Sequence, residues 1–298
     1  MSPDFPASVH RRLLNYARAQ GRPFSEVLQY YGLQRFLYRL GQSRFKERFI
    51  LKGALMLLAW QSPVTRPTHD IDLLGHLENA PATVTLAIQE ICNQPVADDG
   101  LRFDAASVTA ERIIEGASYS GVRARFVAYL GSARLPMQVD IGFGDPLVPG
   151  PSWVSLPTIL DIPAAELWGY SRESAIAEKV QAMVSLGEIN SRVKDYYDIW
   201  LLSRLFEFDG AVLCRAIQAT FSRREMRIVL PIPGLEETFA TPTHETQWHA
   251  FLSRNRLEAP ETLQETIGLL SAFLYPPLRA VAEGKELRQH WVPGGPWR

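Results

Sequence analysis

Apolar residues recur every three to four positions near the start of the chain, and this spacing predicts helices over about residues 8–48. Leu13, Leu14 and Ala17 begin the series. Val27, Leu28, Tyr31, Leu33, Phe36, Leu37 and Leu40 continue it, with Ser25 as a capping-like residue and Gly41 as its close. A short apolar run at 49–51 then meets Lys52-Gly53-Ala54, an extended piece leading into a helix that opens at a glycine. After it the period changes to two. "HDIDLLG" (69–75) reads as a strand, "ATVTLAIQEICNQ" (82–94) as a helix on its far side, and "SVTAERIIE", "SGVRARFVAYLGS" and "LPMQVDIGFGD" as three more strands. In the second of these Val122, Ala124, Phe126, Ala128 and Leu130 alternate with Arg123, Arg125, Val127 and Tyr129, the pattern of a half-buried antiparallel strand.

"GDPLVPGP" (144–151) reads as a boundary loop, and beyond it the pattern is mostly helical. Ile176, Val180, Met183 and Val184 share one face of a helix ending at Gly187. "NSRVKDYYDIWLLSRLF" begins another at an Asn190 or Ser191 cap, and further helices are expected at about 210–222, 244–254, 261–275 and 277–290. The expected fold class is α+β: a small mixed sheet clasped by helical segments from both ends.

The 298 residues hold one large domain or two smaller ones, and 46% hydrophobic content is ample for a core. A net charge of -1 gives no global attraction to nucleic acid or to an acidic membrane, so any such binding needs a local basic patch. Arg35, Arg39, Arg44, Lys46 and Arg48 read as a solvated helix face, with a ligand-steering patch as the alternative. Cys92 and Cys214 lack metal-ligand spacing and are too few for a disulfide scaffold. The start of the chain lacks a signal-peptide pattern, and the most apolar run (49–60) is interrupted by Lys52 and falls short of the ~20 residues that span a bilayer. A cytoplasmic protein without a membrane segment is the expectation.

Asp70 and Asp72 lie two apart in a strand-like run, so both point to one face. Asp140 has a similar setting between Val139 and Ile141. Three acids on neighbouring strands repel unless a cation compensates, and hard oxygen donors suit Mg²⁺ shared with phosphates. Such a cluster supports phosphoryl or nucleotidyl transfer. A glycine turn at Gly53 lets backbone N–H groups approach a phosphate. His69, next to Asp70, is expected to point to the opposite face and to serve packing. Arg123 and Arg125 share a face beside these acids, where they either bind phosphates or pair with carboxylates. Tyr196, Tyr197 and Trp200 read as core, with base stacking as the alternative.

"FILKGALMLLAW…RPTHDIDLLG" resembles the first motif of the AbiEii/AbiGii nucleotidyltransferase toxins, including the MenT toxins, within the DNA polymerase β-like nucleotidyltransferase superfamily. Gly53, Arg66, Thr68, Asp70 and Asp72 carry the match. The turn departs from many relatives, which have two glycines and a hydroxyl residue where this chain has Gly53-Ala54-Leu55. Downstream, "AIAEKVQAMVSLG" looks like the family's Glu-Lys helix and "NSRVKDYYDIWLL" like its Lys/Arg-Asp-x-x-Asp helix, so the resemblance covers about 49–205.

The resemblance implies a polymerase β-like core over 49–150, preceded by a helical segment (1–48) and followed by a helical region (151–298) that completes the active site. It implies Mg²⁺ or Mn²⁺ on Asp70, Asp72 and Asp140, with help in deprotonating the attacking hydroxyl as the alternative role of Asp140. The triphosphate would meet Lys52, Gly53, Ala54, Arg66, Thr68 and Lys179, with Asp195 completing the site. Lys194 and Asp198 read as an ordinary i,i+4 pair. The substrate would be a nucleoside triphosphate, the acceptor the 3′ end of tRNA with arrest of translation, and the partner an AbiEi-type antitoxin. Transfer to a protein or small molecule, and a silent nucleotide-binding protein, stay open. The sequence does not set the oligomeric state.

Overall fold

The structure, a computed structural model, describes residues 5–62, 67–115 and 119–298. They divide into two compact units, Met1–Gly144 with Ser152–Gly169, and Asp145–Pro151 with Tyr170–Arg298.

The first unit is an α+β assembly. Its helices are α1 (Phe5–Ala19), α2 (Phe24–Gln42), the single turn α3 (Met56–Ala59) and α4 (Pro81–Cys92). Its strands are β1 (Phe49–Lys52), β2 (Ile71–Gly75), β3 (Leu101–Glu115), β4 (Tyr119–Leu130), β5 (Ala133–Phe143), β6 (Ser152–Leu156) and β7 (Ala165–Gly169). They form one mixed sheet in the order β3-β4-β5-β2-β1-β7-β6. The β2–β5 and β1–β7 pairs are parallel and the others antiparallel. The alternation along β4 appears as expected: Val122, Ala124, Phe126, Ala128 and Leu130 are buried. Phe126 meets Phe36 of α2 at 5.0 Å between ring centroids, so α2 covers this face while the opposite face carries the polar residues.

Several expectations change. The loop at 144–151 does not end the sheet, because β6 and β7 return to it. Helix α2 takes Pro23 rather than Ser25 as its cap. Gly41 lies within α2, where a β-carbon would stand 2.7 Å from the Glu166 carbonyl oxygen. Arg35 and Arg39 are not solvated; both are buried on Asp99, at 2.8 and 2.6 Å. Residues four apart on a helix share a face, and this face turns inward, where the Asp99 carboxylate answers both guanidinium groups. Burial pushes the Asp99 carboxyl up, but the hydrogen bonds and charges of Arg39 and Arg35 outweigh it and hold it below its ordinary value. Arg44, Lys46 and Arg48 are exposed.

The second unit holds α5 (Arg172–Leu186), α6 (Val193–Leu205), α7 (Gly210–Arg223), α8 (Pro242–Asn255) and α9 (Leu263–Ala282), with a short ribbon of β8 (Phe208–Asp209) and β9 (His290–Trp291). Helix α5 closes at Gly187 in the left-handed region (φ +52°). Helix α6 starts after Arg192, not at an Asn190 or Ser191 cap; Asn190 instead accepts the Arg192 backbone N–H at 3.0 Å. The two helices expected at 261–275 and 277–290 are largely one, since α9 runs through Pro276 and Pro277. Pro277 has no N–H for the Phe273 carbonyl four residues back, and the Trp297 indole N–H donates to that oxygen at 3.0 Å. Among the described residues no helix is long and apolar enough to cross a membrane. Cys92 and Cys214 are free and buried.

Candidate active site

The register of the sheet sets five charged residues in one row. Lys52 of β1 stands opposite Asp72 of β2, Asp72 opposite Asp140 of β5, Asp140 opposite Arg123 of β4, and Arg123 opposite Glu111 of β3. Residues directly opposite on neighbouring strands share a face. The row therefore reads cation, two anions, cation, anion across the open side of the sheet.

Asp70 joins from just before β2. The Thr68 hydroxyl donates to Asp70 Oδ1 at 2.6 Å and fixes that carboxylate. Asp70, Asp72 and Asp140 bring one oxygen each to within 4.8 Å of one another. Like charges this close are unfavourable without compensation. All three donors are hard oxygens, the set that suits Mg²⁺ or Mn²⁺.

Asp140 is already engaged by a fork. Arg123 Nε donates to Oδ1 and Nη2 to Oδ2, both at 2.7 Å, and the Gln138 amide reaches Oδ2 at 3.3 Å. This bidentate geometry is the strong form of an arginine–carboxylate pair. It raises the Arg123 pKa further above its ordinary value, chiefly through the hydrogen bonds to Asp140. Arg125, the next residue on the same face, pairs with Glu111. Of the two readings open for these arginines, the structure displays carboxylate pairing.

Gly53 follows β1 as the first residue of a 3-10 turn, with φ +73°. A β-carbon there would lie 2.0 Å from Asp72 Oδ2. The glycine thus makes room for an acid of the triad, a close approach distinct from the phosphate contact expected of it. Ala54 and Lys52 flank it, buried and half-buried respectively.

His69 is exposed, contrary to the expectation of packing. It precedes β2, so strand alternation does not apply to it. Arg66 lies outside the described residues. Thr68 touches Asp70, as described.

Within the second unit, Lys179 of α5 donates to Asp195 Oδ1 and to Asp198 Oδ2 of α6, both at 2.8 Å. Arg192 lies 3.2 Å from Asp195. The expected Lys194–Asp198 pair does not form: Lys194 is exposed, and Asp198 turns inward to Lys179. Tyr196 and Tyr197 are fully buried, as core residues.

Two residues of the site escaped sequence reasoning. Gln138 was findable, since it lies two before Asp140 and so shares its face. Glu111 was not, because the bulge between Asp104 and Thr109 hides its register.

Solved structures resemble the chain at low identity. An H. pylori protein assigned as a nucleotidyltransferase aligns at a TM-score of 0.46 and 12% identity, over 88% of this chain and 98% of that one. JHP933 from Helicobacter pylori aligns at 0.42 and 11%, over 84% and 90%. No curated protein matches the chain. The model of the nucleotidyl transferase AbiEii toxins of type IV toxin–antitoxin systems matches residues 35–282, and the chain belongs to that family.

Proposed function

We propose that the chain transfers a nucleoside monophosphate from a nucleoside triphosphate to the 3′ end of an RNA, with tRNA as the acceptor and arrest of translation as the result. The observation that carries this reading is the convergence of Asp70, Asp72 and Asp140 beside the Gly53 turn. Asp70, Asp72 and Asp140 would hold Mg²⁺, or Mn²⁺ in its place, which when bound orients the reacting oxygens and offsets charge on the leaving pyrophosphate.

The chain's own residues do the rest. Thr68 and Arg123 fix two of the carboxylates, so the triad is set before substrate arrives. Lys52, Gly53 and Ala54 offer an ammonium group and backbone to the triphosphate, with Arg66 as a further contact. The acceptor hydroxyl oxygen attacks the α-phosphorus, the bond from that phosphorus to the bridging oxygen of the β-phosphate breaks, and pyrophosphate leaves. The hydroxyl proton passes toward Asp140. Lys179 enters this reading on the family resemblance as a triphosphate contact, and Asp195 as the residue that completes the site.

Membership of a type IV toxin–antitoxin family implies an antitoxin counterpart. An AbiEi-type protein fills that place, and the toxin acts in the cytoplasm.

The test incubates the protein and Mg²⁺ with each α-labelled nucleoside triphosphate, offering total tRNA, protein extract or small-molecule acceptors separately. Label on tRNA supports the reading. Label only on a protein or small molecule, or on nothing, overturns the acceptor assignment.

A further inference from the structure

The open face of the sheet continues past the acid triad into a cavity of about 570 Å³. Two residues on from the Asp140–Arg123 row, Gln138 stands opposite Arg125, and Arg125 opposite Thr109. Four residues further, Arg134 stands opposite Tyr129, and Tyr129 opposite Arg102. Arg125, Arg134, Thr109, Gln138, Ser107 and His69 all line the cavity, and no carboxylate among the described residues does. From Asp140 to Arg134 is six residues of extended strand, roughly 20 Å.

This track has the composition of a polynucleotide groove. Arg125 and Arg134 are exposed, at one end and the other of the cavity lining. Thr109 and Gln138 flank Arg125 across the strands, and the Ser107 hydroxyl, which donates to the Asp104 carbonyl and accepts the Val127 N–H, lies on the stretch between the two arginines. The half-buried Tyr129 ring opposite Arg134 already carries a cation, with the Arg102 guanidinium 4.5 Å from its centroid. The two acids on this side are occupied: Glu111 pairs with Arg125 in an exposed contact, and Asp104 accepts the Ala106 N–H at 3.2 Å within its own bulge. An exposed pair of this kind is weak enough for a phosphate to compete for Arg125.

We propose that the outward face of β3–β5 is the acceptor track, where the phosphodiester backbone of a single-stranded RNA lies on Arg134 and Arg125 and delivers its 3′ hydroxyl to the triad. The charge of the lining favours a polyanion over a protein acceptor. This rests on the reading that the acceptor is RNA, and it adds where on the chain that RNA lies.

The test is fluorescence anisotropy with a 5′-labelled single-stranded RNA bearing a free 3′ end, in EDTA and without nucleoside triphosphate, so that neither metal nor substrate bridges the two. The variants are Arg125→Ala/Arg134→Ala and, as a charge-matched control on α1, Arg11→Ala/Arg18→Ala, each checked for an unchanged melting curve. The track predicts at least tenfold weaker binding for the first pair, with the log–log salt slope smaller by about 1.4, and less than twofold change for the control. Equal weakening in both pairs, no weakening in the first, or no RNA binding by the unmodified chain overturns the track. Label transfer to RNA by the unmodified chain, measured in parallel, separates the two failures: if it persists, only the track is wrong, and if label goes to protein instead, the RNA reading falls with it.

Discussion

The Asp72 carboxylate occupies the space a β-carbon on residue 53 would need, 2.0 Å from its ideal position. Gly53 also sits at φ +73°, where a side chain is strained by ~1–2 kcal/mol. Gly53→Ala therefore displaces one triad acid directly. The clash also takes in the Asp72 Cγ at 2.7 Å and Cβ at 2.8 Å, so turning the carboxylate alone does not relieve it and the β1–β2 backbone must give as well. Transfer activity should fall by at least ~100-fold, with a melting temperature lower by several degrees. A variant that keeps full activity would separate Asp72 from the chemistry.

A cation held by the triad would share the Asp140 carboxylate with Arg123. Arg123→Gln removes one positive charge from beside three acids, so the triad should bind a divalent cation several-fold more tightly. Transfer should nevertheless fall about tenfold, because Asp140 loses its fork. Calorimetric titration with Mn²⁺ checks the first effect, and unchanged affinity would contradict it.

Asp99 makes the first unit sensitive to acid. Its folded pKa is held below the ordinary value, so its contribution is fully present above about pH 4 and is lost as pH falls through the lower folded value. Asp99→Asn leaves Arg35 and Arg39 buried without their counter-charge and should cost ~3–5 kcal/mol near neutral pH. The difference from the native protein should shrink below pH 4. Denaturant melts at pH 7 and pH 3 test this, and a pH-independent difference would contradict it.

Lys179 is the shared cation of Asp195 and Asp198, whose side chains are 4% and 3% exposed. Lys179→Met removes the cation that both buried carboxylates share, while Arg192 stays 3.2 Å from Asp195. A loss of ~3 kcal/mol is expected, and Lys179→Arg should restore a good part of it. Thermal melts of both variants measure this.

The sequence was informative where a periodic signal was long or a spacing was chemically constrained. The β4 alternation placed Arg123 and Arg125 on one face and the apolar residues on the other. Asp-x-Asp and the distant Asp140 anticipated a triad that only the parallel β2–β5 register brings together. Other features depend on tertiary context. Strands β6 and β7 lie among Pro149, Pro151, Pro157 and Pro163, which read as loop, and β7 joins the sheet through its parallel pairing with β1. Nothing local marks Arg35 and Arg39 as buried, since Asp99 lies sixty residues away from Arg39. Pro276 and Pro277 read as a helix break because the donor that replaces the missing Pro277 N–H, the Trp297 indole, lies twenty-four residues away from Phe273.

The central claim is that Asp70, Asp72 and Asp140 form the centre of a metal-dependent nucleotidyltransferase. The direct measurement is transfer of an α-labelled nucleotide to tRNA by the native chain, by Asp70→Asn and by Asp72→Asn, with Mg²⁺ and with EDTA. Transfer by the native chain that disappears in EDTA and falls by at least ~1,000-fold in each variant, with melting curves preserved, is the predicted result. Transfer that persists in either variant or in EDTA would contradict it.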